Sequence, residues 1–82
     1  MATMDVFITE GGSAVGSGWT LVYGDSGTGH KTTDANGQIH YASIPASFRA
    51  CLAFCIIDDA GTLRMGGGGM YIAAGGTYTF DN

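Results

Sequence analysis

Along most of this chain apolar and polar residues alternate with a period of two, which predicts strands rather than helices. Met4 to Glu10 places Met4, Val6 and Ile8 on one face and Asp5, Phe7 and Thr9 on the other. Gly18 to Gly24 aligns Trp19, Leu21 and Tyr23, and Gln38 to Ala42 aligns Ile39 and Tyr41, which are expected to face inward. The longest alternation runs from Ser47 to Ile57, with Phe48, Ala50, Leu52, Phe54 and Ile56 on one side. Its other side carries Arg49, Cys51, Ala53, Cys55 and Ile57, which is unusually apolar for a face expected to meet solvent. Thr62–Met65, Met70–Ala74 and Thr77–Phe80 are shorter candidates. No useful stretch has the 3.6-residue period of a helix.

Punctuation between these runs supplies the connections. Asp34-Ala35-Asn36-Gly37 reads as a tight hairpin turn joining His30–Thr33 to Gln38–Ala42, because Asn36 and Gly37 tolerate positive φ. Pro45 offers no amide hydrogen to a ladder, so Ile44-Pro45 is expected at a corner. Gly11–Gly18 is a small-residue connection anchored by Val15, while Asp25–Gly29 and Asp58–Gly61 are turns by composition. Gly66–Gly69 reads as a flexible or sharply bent link, and Gly75-Gly76 as a two-residue hairpin between the last two strands. Seven or eight short strands at intervals of about ten residues predict one all-β domain over residues 1–82, an antiparallel Greek-key β-sandwich.

Composition sharpens this expectation. Eighty-two residues lie near the small end of what one apolar core supports, so covering by a partner or by further copies would help. Charged residues make up 12% of the chain and there are 15 glycines, yet 45% hydrophobic content suffices for a core. A net charge of −4 with three basic residues argues against nucleic acid and against an anionic membrane surface. The longest apolar run, Ala50 to Ile57, is too short to span a bilayer as a helix. MATMDVFITEGG lacks the basic and apolar regions of a signal peptide, so synthesis in the cytoplasm without a cleaved leader is expected, ahead of a final place in a virion or extracellular assembly.

The run Thr33-Asp34-Ala35-Asn36-Gly37, followed by Tyr41, Ile44-Pro45 and Phe48, resembles the carboxypeptidase regulatory-like and Cna-B-like modules of the prealbumin-like, transthyretin-like sandwiches. The resemblance spans nearly the whole chain, but its motif consists of turn and packing residues, so it speaks to fold more than to function. Ala46-Ser47 stands where those modules usually carry a glycine before the aromatic. It implies two activities to weigh. Cna-B-like modules often form a Lys–Asn isopeptide bond beside a buried acid, but the only lysine, Lys31, falls in the third strand and the only glutamate, Glu10, ends the first. Transthyretin-like hydrolases of a purine breakdown product use a His/Arg/His set and a Tyr-Arg-Gly-Ser tail, whereas this chain ends Thr79-Phe80-Asp81-Asn82.

Chemistry-bearing residues are sparse. Asp34 and Asp25 lack the downstream bidentate glutamate of an EF-type calcium loop, and His30 with His40 lack a third zinc ligand, so no metal or cofactor is expected. Ser43 and Ser47 lack a nucleophile elbow, and Gly66–Gly69 lacks the Lys-Ser/Thr and helix of a phosphate loop. Cys51 and Cys55 in one extended strand sit about 13 Å apart, beyond disulfide reach. The expectation is therefore a non-enzymatic structural or interaction module whose outward stripe, Arg49, Cys51, Ala53, Cys55 and Ile57, is an assembly interface. Its partners would be copies of itself or other virion proteins, in a phage decoration or tail component or a filament. Met1–Asp5 or Thr77–Asn82 is a candidate for strand addition to a neighbour. The alternative is a carbohydrate-binding or adhesion module that stacks a glycan on Trp19 and Tyr23.

Overall fold

β1 (Ala2–Glu10) is the axis of the first sheet because its alternation buries Met4, Val6 and Ile8 completely. A computed structural model describes residues 1–23 and 29–82, with the side chains at 23, 29, 30, 50–52, 69 and 70 excepted. The remaining strands are β2 (Ser13–Ala14), β3 (Thr20–Tyr23), β4 (Gly29–Thr32), β5 (Gln38–Ile44), β6 (Arg49–Ile57), β7 (Leu63–Ala73) and β8 (Thr77–Asp81). β1 pairs with β2, β5 and β8 in one four-stranded sheet, and the other follows the order β4-β3-β6-β7. The chain is thus all-β, a small sandwich of two sheets, as the alternation predicts. The described ladders are antiparallel except β1 with β8, which run parallel.

The core is the seam between the sheets. Met4, Val6, Ile8, Ile39, Tyr41 and Phe80 from the first sheet meet Leu21, Ile56 and Ile72 from the second, with Trp19 and Val15 closing the seam. The Phe54 and Phe80 rings meet across it, centroids 4.8 Å apart and tilted by 51°. Fully burying a side chain such as Ile8 or Ile56 contributes about 1.5–3 kcal/mol, so these few residues carry much of a small domain's stability.

Three connections differ from the sequence expectation, each for a backbone reason. The Asp34–Gly37 turn does not close a hairpin: β4 pairs with β3 in one sheet and β5 with β1 in the other. Its local chemistry is as expected, with the Asp34 carboxylate accepting from the amides of Asn36 (2.8 Å) and Gln38 (3.1 Å). On either side the chain is claimed by different sheets. The Thr33 amide donates to the Trp19 carbonyl, and the Ile8 amide donates to the Gly37 carbonyl. Gly37 adopts φ 71°, and a Cβ there would lie 2.8 Å from the carbonyl oxygens of both Ile8 and Val15.

The four glycines are not a link but the middle of β7, the longest strand. Gly66 and Gly67 pair with Cys55 and Phe54, and a register shift falls between Leu52 and Phe54. Gly67 lies under the Phe54 ring, where a Cβ would come within 3.1 Å of a ring carbon. An apolar strand such as β6 needs a ladder partner along its whole length, and glycine backbone supplies one as well as any other. Gly75-Gly76 likewise crosses between sheets instead of closing a hairpin: the Gly75 amide donates to the Thr3 carbonyl, and the Asp5 amide donates to the Gly76 carbonyl. Residues 2–5 lie inside β1, paired on its flanks, and so are not an arm free for strand addition, while the Thr77–Asp81 tail is β8, already paired with β1. The predicted turn at Asp25–Gly29 falls mostly outside the described residues.

Candidate functional site: two unlike outer faces

β6 divides its residues as the alternation requires. Ile56 is buried and Phe54 packs on the core, as does Phe48 just before the strand, while Arg49 and Ala53 are exposed and Cys55 and Ile57 half-buried. The Cys51 side chain lies outside the described set, although its backbone holds the same register position between Arg49 and Ala53. Pairing extends this outer face onto both neighbours. Thr20 and Val22 of β3 stand opposite Ile57 and Cys55, while Leu63, Gly66, Tyr71 and Ala73 of β7 stand opposite Ile57, Cys55, Cys51 and Arg49. Leu63 is 64% exposed and Tyr71 53%, the two large apolar side chains most open to solvent after Met1 among the described residues. Among the described residues this face is apolar along β6 and β7, with Arg49 at one end and, at the other, Thr20 of β3 flanked by exposed Thr32 of β4.

The outer face of the first sheet has the opposite character. Asp5, Gln38 and His40 meet there across the β1–β5 ladder, with Thr77, Thr79 and Asp81 of β8 on the other side. Asp5 Oδ1 accepts from Gln38 Nε2 (2.8 Å) and lies 2.6 Å from His40 Nδ1. The His40 contact, then the Gln38 amide, holds the Asp5 carboxyl below its ordinary value. Asp81 is held low by the Thr9 hydroxyl and the Gly12 amide. Apart from Phe7, half-buried between Gln38 and Thr79, this is a solvated, hydrogen-bonded sheet face. Asp5 faces outward as the alternation of β1 predicts, while its contact with His40 arises because β5 pairs with β1 and not with the strand that carries His30. Those two histidines lie on strands of different sheets.

A carboxylate beside an imidazole is also how hydrolases orient a general base, so the surroundings decide. No serine, threonine or cysteine among the described residues hydrogen-bonds the His40 ring. No group of three or more His, Cys, Asp or Glu among the described residues is placed to hold a metal ion. Lys31 Nζ lies 5.0 Å from the centroid of the Tyr41 ring, and Glu10 pairs with Arg64, so the residues of an isopeptide crosslink are not brought together.

Trp19 is not an open platform. Its side chain is 6% exposed, and the Arg64 guanidinium covers the ring at 5.1 Å. Arg64, left between Met65 and Leu63 by a register shift in β7, also bonds Glu10 and Asp58 (3.2 Å to the latter). The Asp58 carboxylate in turn accepts from the Thr62 and Ala60 amides and is held low by them and by Arg64, the Thr62 bond foremost. Burial of the indole follows from its place beside Leu21 in the core pattern; the Tyr23 side chain lies outside the described set.

Comparison of the chain with protein-family models, with curated proteins and with solved structures returns no match.

Proposed function

We propose that this chain is a non-enzymatic structural or interaction module that packs in a repetitive assembly, as a phage virion decoration or tail component or as a filament subunit. The observation that carries this reading is the contrast between the two outer faces. One presents Asp5, His40, Thr79 and Asp81 to water, while the other presents Ala53, Ile57, Leu63 and Tyr71. A sheet that faced solvent on both sides in its working state would alternate polar residues onto both outer faces. An apolar outer face on so small a domain is what a surface covered by a neighbour carries, and its covering adds burial that a short chain lacks by itself.

Light scattering on the reduced protein, followed by electron microscopy of the same sample, tests the proposal. Rings, filaments or particles support it. A monomer of 8.4 kDa that stays soluble at high concentration counts against self-assembly.

A further inference from the structure

We infer that the β3–β6–β7 face packs against the same face of a second copy, related by a twofold axis that lies in the interface, at right angles to β6 near Ala53. The two β6 strands then run in opposite directions. This rests on the proposed role of that face in assembly and makes a closed twofold dimer the unit of that assembly, whose further growth uses a second surface.

Charge carries the argument furthest. Arg49 stands exposed at one end of the β6 outer face, and its side chain makes no hydrogen bond or ion pair among the described residues. Just beyond the other end, Asp59 is exposed and equally without a side-chain partner, whereas its neighbour Asp58 is engaged by turn amides and Arg64. Among the described residues, a face with a free cation at one end and a free anion in the turn just beyond the other is complementary to its own reversed copy. That is what an isologous contact requires. Reversal sets Arg49 near the partner's Asp59 at both ends, while the same-direction alternative stacks like charges twice.

Shape agrees. Tyr71 lies at the Arg49 end of β7 and Leu63 at the Ile57 end, with glycines between them. Reversal brings Tyr71 over the partner's Leu63 and leaves the flat glycine stretches facing each other. The area sets the strength: four residues of β3, nine of β6 and eleven of β7 give a footprint of roughly 400 Å² per copy from strand rise and spacing. Two such footprints total roughly 800 Å², the size of a weak, reversible contact below the standard class of about 1,200 Å² and above.

Sedimentation equilibrium on reduced protein at low salt tests the orientation. Arg49→Asp alone and Asp59→Arg alone each weaken self-association by at least about tenfold, since each sets like charges together at two symmetric places. The double variant Arg49→Asp/Asp59→Arg restores it to within a few-fold. Tighter or unchanged association of Arg49→Asp overturns the inference, as same-direction packing or no contact would give. As a second readout, Ala53→Cys in a Cys51→Ser/Cys55→Ser background is treated with a bismaleimide spanning about 10 Å, the spacing of packed sheets. Covalent dimer is expected there and not for Thr79→Cys on the polar face; the reverse result overturns the inference. The broader proposal fails separately: it survives if Leu63→Glu abolishes association while the charge swap fails to restore it. It falls together with the inference if Leu63→Glu leaves association unchanged or the wild-type chain is monomeric.

Discussion

Gly37→Ala is the substitution that bears hardest on the crossover between the sheets. At φ 71° an alanine incurs the left-handed penalty of about 1–2 kcal/mol. Its Cβ would also lie 2.8 Å from two carbonyl oxygens, of Ile8 and Val15, and 3.1 Å from the Val15 nitrogen. These are backbone atoms of β1 and of the segment after β2, so no side chain can swing away. They are also tied together, because the Ile8 amide donates to Gly37 (2.8 Å) and the Val15 amide to Ile8 (3.1 Å). Relieving the overlap stretches both bonds, and overpacking of this kind adds about 1–3 kcal/mol. The expected loss is therefore about 2–5 kcal/mol, or at least about 8 °C in Tm for a domain of this size. Gly11→Ala is the control: φ is 60° but the space around it is open, so only the conformational part remains, about 1 kcal/mol. Thermal and urea melts followed by far-ultraviolet circular dichroism measure both. Equal losses for the two variants would refute the close approach and return residues 30–33 and 38–42 to a simple hairpin.

Other predictions follow from the same geometry. Gly67→Ala pushes on the Phe54 ring and lowers stability by about 1 kcal/mol, whereas Gly68→Thr meets open space in a strand and raises it by about 0.5 kcal/mol; urea melts decide, and the opposite order would mean that the glycines are a link after all. Trp19 should show the blue-shifted emission of a buried indole and no quenching across a glycan panel, while saturable quenching by a glycan would restore the stacking role. Asp5, Asp58 and Asp81 all have carboxyls held below their ordinary value in the fold. Their contribution is complete above the unfolded value of about 3.9 and is lost as pH falls through the lower folded values. Urea midpoints should therefore drop below about pH 4, and less steeply in Asp58→Asn; an unchanged slope in that variant would exclude Asp58 from the acid response.

Much of the sandwich was legible because burial follows alternation. Met4, Val6, Ile8, Leu21, Ile39, Tyr41 and Ile56 all face the seam as the period of two requires. Pairing was less legible, since a tight turn looks the same whether it joins neighbours in one sheet or crosses between two. Asp34 forms the same side-chain turn in either case, and only the bonds from Thr33 to Trp19 and from Ile8 to Gly37 decide. The candidate face was half legible. Ala53, Cys55 and Ile57 could be read from β6 alone, but Leu63 and Tyr71 could not, because the glycine run broke the apparent continuity of β7. Pairing the whole of β6 with one partner strand would have placed both. Arg64 was hidden too: its reach to Trp19, Glu10 and Asp58 depends on a register shift that no periodicity announces.

The central claim is that the apolar outer face is covered by neighbouring copies, and sedimentation of the wild-type chain beside Leu63→Glu tests it most directly. Leu63 is 64% exposed, so the substitution leaves the core untouched. The account predicts a wild-type mass that is a multiple of 8.4 kDa and a folded monomer for the variant. Identical masses for the two, both folded, would contradict it.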